Sequence, residues 1–187
     1  SGNEFDFFIP GHELFHKVQG VHGGGGADPY YKWVIEGQAR AMEDKACVFG
    51  AADCQIWDDD VSKFYDSDVT RYLGTPELGL QEQSYRASLF WVKVMEQLTG
   101  MSAEPELGVD VMLAYWQQNQ ANHMAGTEKD GIGTVNDMLA STFGGADTFQ
   151  GLFEKFAVAN YAKDYISNPV PAALADLNYI DEETYPG

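Results

Sequence analysis

Residues 10–20 read Pro-Gly-His-Glu-Leu-Phe-His-Lys-Val-Gln-Gly, and the five from His12 to His16 set the expectation for what surrounds them. Pro10 suits the first turn of a helix, where its fixed φ is already helical and its missing N–H would have had no partner. Gly20 is a stop signal. A helix over 10–19 puts His12 and His16 one turn apart on a single face, so both imidazoles can reach one metal ion. Glu13 sits one position round from His12, beside an open coordination position, where a carboxylate can take a proton from water. With four histidines in 187 residues, chance placement of H-E-x-x-H is expected on the order of 0.01 times. Without a metal, the same residues are two histidines and a glutamate on a surface helix.

Working outward, a flexible loop with Gly23 to Gly26 leads to Asp28-Pro29, an N-cap and first-turn pair that opens a second helix over about 29–45. After nineteen intervening residues from His16, that helix carries Glu36 within Trp33-Val34-Ile35-Glu36-Gly37-Gln38-Ala39. A carboxylate arriving from the second helix completes a three-ligand zinc site with His12 and His16. Glu43, two turns further along the same face, can accept a hydrogen bond from the far nitrogen of a ligating histidine and fix its tautomer. Read blandly, Glu36 and Glu43 belong to the solvated face of a helix in a very acidic protein.

HELFH followed by WVIEGQA resembles the gluzincin clan of zinc metallopeptidases, which includes the thermolysin and membrane-alanyl-aminopeptidase types. In that clan H-E-x-x-H is followed by a glutamate, often in an N-E-G-x-A or W-x-x-E-G-x-A setting, and Glu36-Gly37-Gln38-Ala39 is similar to that setting. Glu43 falls where aminopeptidase relatives carry a second glutamate. Ser84-Tyr85-Arg86-Ala87-Ser88-Leu89-Phe90 looks like the tyrosine-bearing helix of the same relatives. The resemblance implies that Tyr85 hydrogen-bonds the tetrahedral intermediate, although the spacing from Glu36 is shorter than in the aminopeptidases. From the residues alone, Tyr85 is a core side chain with its hydroxyl at the rim. Gluzincins also carry a β-sheet before the zinc helix, while nine residues precede Pro10. The resemblance therefore implies a larger chain with an upstream β-rich region.

Beyond the helix pair, residues 4–9 are aromatic enough for a short strand, and 46–81 read as irregular. A third helix spans about 82–98, with Tyr85, Leu89, Val92 and Met95 at helical spacing. Further helices are expected near 107–121, 134–143 and 147–164, and an extended tail follows Pro169 and Pro171. The expected class is mainly α: a helical gluzincin catalytic subdomain with little or no β-sheet. Its parts are a zinc-binding helix pair at 1–45, a helical lower subdomain at 46–165 and a C-terminal tail at 166–187.

Asp58, Asp59, Asp60, Asp66 and Asp68 offer oxygen ligands for calcium but lack the ordered calcium-loop pattern, so a solvated loop is the plainer reading. His22 abuts the glycine run and reads as exposed. His123 stands as a second group able to stabilise an intermediate, as a downstream histidine does in thermolysin. Cys47 and Cys54 flank CVFGAAD, a run of small residues that can bend into a closed loop; a disulfide and two free thiols both remain open. Twenty-nine acidic residues against 11 basic ones give a net charge of −18. That balance opposes nucleic acid and anionic membrane as partners, because both are bound through Lys and Arg. No apolar run reaches the ~20 residues that span a bilayer. Ser1-Gly2 reads as a processing scar. Acidity and the cysteine pair point to a secreted or periplasmic location. The functional expectation is a one-zinc peptidase acting on peptides or proteins, with Glu13 as general base. The alternatives are a non-catalytic zinc-stabilised interaction module and a zinc hydrolase of non-peptide bonds.

Overall fold

The structure is a computed structural model that describes residues 8–23, 31–49, 71–72, 74–75, 77–99 and 108–162. The described residues form six helices and no strand: α1 (Phe8–Val21), α2 (Lys32–Phe49), α3 (Ser88–Leu98), α4 (Val109–Met124), α5 (Gly131–Thr142) and α6 (Phe149–Ala162). The mainly α class is thus observed. Two short 3₁₀ turns, Leu80–Glu82 and Ser84–Ala87, lead into α3. The acidic segment from Asp58 to Asp68, Cys54 with the question of its pairing to Cys47, and the tail at 166–187 lie outside the described residues.

Several boundaries differ from expectation: α2 runs on to Phe49, into the stretch read as irregular, α4 runs on to Met124 and α5 begins at Gly131. Helix α1 starts at Phe8 rather than Pro10, so Phe8 and Ile9 are helical and not part of a strand. Pro10 is accommodated within the first turn, where N–H groups have no intrahelical acceptor. The 82–98 segment is not one α-helix, because Tyr85 lies in the 3₁₀ turn before α3. Ser84 has φ of +50°, a left-handed conformation unfavourable for a residue with a Cβ. That residue turns the chain so that Tyr85 is 49% exposed while Leu89, Val92 and Met95 face inward.

The core forms around α3, whose residues Ser88–Glu96 are all buried. A helix apolar on nearly every side is stable only when surrounded, and α3 has α2, α4 and α6 packed against it. Its two buried charges pair, Lys93 Nζ donating to Glu96 Oε2 at 3.1 Å, as desolvated charges must. Trp33 of α2 stacks on Trp91 of α3 with centroids 5.3 Å apart at 17°. The Trp91 Nε1–H donates to the Trp33 carbonyl at 2.9 Å, and Trp116 Nε1–H donates to Gln38 Oε1 at 2.7 Å. The indoles of Trp91 and Trp116 thus keep both their apolar contact and a hydrogen-bond partner, while the Trp33 Nε1–H is buried without one.

Close approach at two glycines sets the helix spacing. A Cβ on Gly108, where φ is +84°, would lie 2.1 Å from Met95 Cβ, so only glycine fits at the entrance to α4. A Cβ on Gly37 would lie 3.0 Å from Ala87 Cβ and 3.1 Å from Trp91 Cδ1. Gly37 therefore lets the turn bearing Tyr85 settle against α2 directly beside Glu36. Asp130 caps α5, its carboxylate accepting from the Gly133 N–H at 2.7 Å.

Candidate metal centre

Helix α1 lies on α2 through one face. His12, His16 and Gln19 are spaced i, i+4, i+7 and turn toward α2, while Leu14, Lys17, Val18 and Val21 are exposed. The imidazoles of His12 and His16 meet edge to face, with centroids 4.5 Å apart at 87° and their Nε2 atoms at 2.9 Å. From α2, Glu36 brings Oε2 to 3.3 Å from His12 Nε2 and 3.5 Å from His16 Nε2. Among the described residues this is the one group of three His, Cys, Asp or Glu side chains whose ligand atoms lie within 4.8 Å of one another.

The opposite edge of each imidazole decides what those converging atoms carry. His12 Nδ1 lies 2.7 Å from Glu43 Oε1, and the other oxygen of Glu43 accepts from Arg40 Nη1 at 2.6 Å. A carboxylate held by a guanidinium is ionised and accepts only, so His12 Nδ1 bears the proton. His16 Nδ1 lies 2.6 Å from Gln19 Oε1. With Nδ1 of each ring turned to Glu43 or Gln19, both Nε2 atoms converge on each other and on Glu36 Oε2, a buried oxygen with no hydrogen-bond partner. Buried acceptors without donors are rare because each costs its desolvation.

A cation among the three atoms relieves this. A proton on either Nε2 can face the other ring or Glu36, whereas a metal ion would meet all three atoms at once. With metal–ligand bonds of ~2.0–2.1 Å, separations of this size subtend about 90–120° at the ion, which brackets the tetrahedral angle. Two neutral imidazoles and a carboxylate are a donor set that zinc accepts readily. Glu43 beside Nδ1 holds His12 above the ordinary histidine value despite the opposing cost of burial, and Glu36 and Glu13 add to the rise.

Two expected catalytic groups flank the cluster. Glu13 is exposed, one position round from His12. The Tyr85 ring stacks over His12 with centroids 5.9 Å apart at 29°. Partial burial and then the nearby Glu36 carboxylate raise the Tyr85 phenol above its ordinary value, so at neutral pH it keeps its proton and can donate. The structure thus gathers His12, His16, Glu36, Glu43 and Tyr85 in one place. It puts His123 elsewhere, exposed and paired with Glu128 at 2.6 Å. His22 is half-buried rather than exposed, its Nδ1 3.0 Å from Gln120 Oε1.

No protein-family model, curated protein or solved structure matches this chain.

Gln19 and Arg40 were not singled out in the sequence, yet both complete the cluster. The available signal was helical arithmetic: Gln19 shares the face of both histidines, and Arg40 sits one turn from both Glu36 and Glu43. Among the described residues the cluster offers three candidate ligands, one fewer than the four protein ligands of a closed structural zinc centre.

Proposed function

We propose that this chain is the helical, metal-binding part of a zinc-dependent peptidase of the gluzincin kind. The observation that carries this reading is the meeting of His12 Nε2, His16 Nε2 and Glu36 Oε2, with both histidine tautomers set from behind. Zinc held there supplies Lewis acidity, which polarises a carbonyl and lowers the pKa of water to ~7. Glu13, exposed and next to His12 on the helix, serves as the general base that removes the proton and returns it to the leaving amine. Tyr85, protonated at neutral pH, donates a hydrogen bond toward negative charge developing on the scissile carbonyl, a contribution of about 3 kcal/mol in comparable sites. Glu43, steadied by Arg40, keeps His12 in the Nδ1–H tautomer. The exposure of Glu13 and Tyr85 on the same side as the cluster supports a site open to a polymer chain.

The test measures zinc content and turnover of a peptide and ester panel for Glu13→Gln and His16→Ala side by side. Glu13→Gln is expected to retain one zinc and lose ~10²–10⁴-fold in rate. His16→Ala is expected to lose both metal and activity. Wild-type turnover in Glu13→Gln would remove the general-base role and leave a structural zinc centre. Turnover of esters but not peptides would move the reading to a hydrolase of non-peptide bonds.

A further inference from the structure

We propose that Gln19 is a positioning residue of the metal centre, one buried amide that sets the His16 tautomer and ties it to the backbone beside Glu36. The inference rests on the metal-site reading above. Gln19 is 1% exposed and lies three residues after His16, on the face of α1 that meets α2. Its carbonyl oxygen is 2.6 Å from His16 Nδ1. Its amide N–H donates to the Ile35 carbonyl at 3.0 Å, and Ile35 is the residue immediately before Glu36.

The second bond makes the first unambiguous. Turned end for end, the amide would set its oxygen against the Ile35 carbonyl oxygen, two acceptors with no proton between them. The side chain has one satisfied orientation, and in that orientation it can only accept from His16. His16 therefore holds its proton on Nδ1 and directs the Nε2 lone pair at Glu36 and His12. The same side chain joins the helix carrying two ligands to the helix carrying the third, within one residue of that ligand. A shift of α1 along α2 must break this bond, so the amide also fixes the register in which the three ligand atoms meet.

Its neutrality distinguishes it from Glu43. A carboxylate behind an imidazole draws the Nδ1 proton and raises ligand basicity, whereas an amide orients the ring without adding charge. The centre therefore has one ligand backed by an anion and one backed by a dipole. This keeps a third negative charge out of a pocket that already holds Glu36 and Glu43.

Gln19→Met keeps the length and packing of the side chain and removes both hydrogen bonds. Zinc affinity, measured by competition with a chromophoric chelator on the full chain, is expected to fall about 10–100-fold. Gln19→Glu retains the acceptor for His16 Nδ1 and is expected to recover part of that loss. The visible spectrum of the cobalt-substituted protein should change in Gln19→Met, reporting altered ligand geometry that a merely structural role would not move. Wild-type affinity and spectrum in Gln19→Met would overturn the inference while leaving the metal site standing. A wild-type chain that binds no zinc would overturn both. If Gln19→Met fails to fold, nitrogen-15 NMR of the metal-free wild type in mildly alkaline solution decides. His16 protonated on Nδ1 supports the inference, and His16 protonated on Nε2 overturns it.

Discussion

Helix α2 has two faces that solve opposite problems. On one, Trp33, Val34 and Ala41 sit in a core where aromatic rings fill the space and the Trp91 indole N–H finds the Trp33 carbonyl. On the other, Glu36 and Glu43 meet His12 and His16 across a seam where Glu36 Oε2 is buried without a donor. The first face is held by ring packing and one indole–carbonyl bond, although the Trp33 Nε1–H itself finds no partner. The second gathers polar atoms that, on the proposed reading, a cation would join. One helix can therefore hold a rigid scaffold behind it and a ligand-dependent site in front, because the two faces draw on different forces.

The sharpest way to break that comparison is at the core. Trp91→Ala removes the ring stacked on Trp33 and leaves the Trp33 carbonyl without its indole partner. We expect a loss of about 3–5 kcal/mol in unfolding free energy, measured by urea denaturation of the metal-free protein. A loss below ~1 kcal/mol would mean that the core does not hold α2 in place.

A smaller effect is expected from the metal. At free zinc of ~100 times the dissociation constant, stability should rise by about 2.7 kcal/mol. Hydrogen exchange should place the gain unequally: amides of α1 become protected, and chelation reverses this, while α3 is protected throughout. Equal protection gains in α1 and α3 would contradict the separation of the two faces.

The smallest effect is a change of sign with pH. The folded, metal-free His12 titrates above its ordinary value of 6.5, chiefly through its hydrogen bond to Glu43. A raised folded value contributes stability that is fully present below the unfolded value and lost as pH rises through the folded one. Acidification through that window should therefore stabilise the metal-free chain. With zinc bound the proton competes for the same nitrogen, and the same acidification should release metal and destabilise it. Thermal melts with and without zinc across the window check this, with His12→Asn expected to flatten both trends.

Much of the architecture was readable because apolar spacing survives in the helices that build the core. Leu89, Val92 and Met95 sit inward as their period requires. The clustering of His12, His16 and Glu36 was readable for a similar reason, since i and i+4 on a helix leave little freedom in where two imidazoles point. Tyr85 was misplaced because its local geometry depends on Ser84 adopting a positive φ, which no periodicity encodes. Gln19 and Arg40 escaped notice because a glutamine or arginine on a helix looks the same in sequence whether it is solvated or turned toward a neighbour. Their roles depend on α1 and α2 lying face to face, a tertiary fact.

Helix α1 is fastened unlike its companions. Among its described side chains Phe15 alone joins the core, while Leu14, Val18 and Val21 remain outside. Among the described side chains its ties to α2 are otherwise polar: His12 to Glu43, Gln19 to the Ile35 carbonyl, and both histidines facing Glu36. Core burial brings α2, α3, α4 and α6 together without an ion, whereas under the proposed zinc reading the seating of α1 would also draw on an ion acquired from outside. Assembly would then have two stages with different controls: the first written into the chain, the second set by supply.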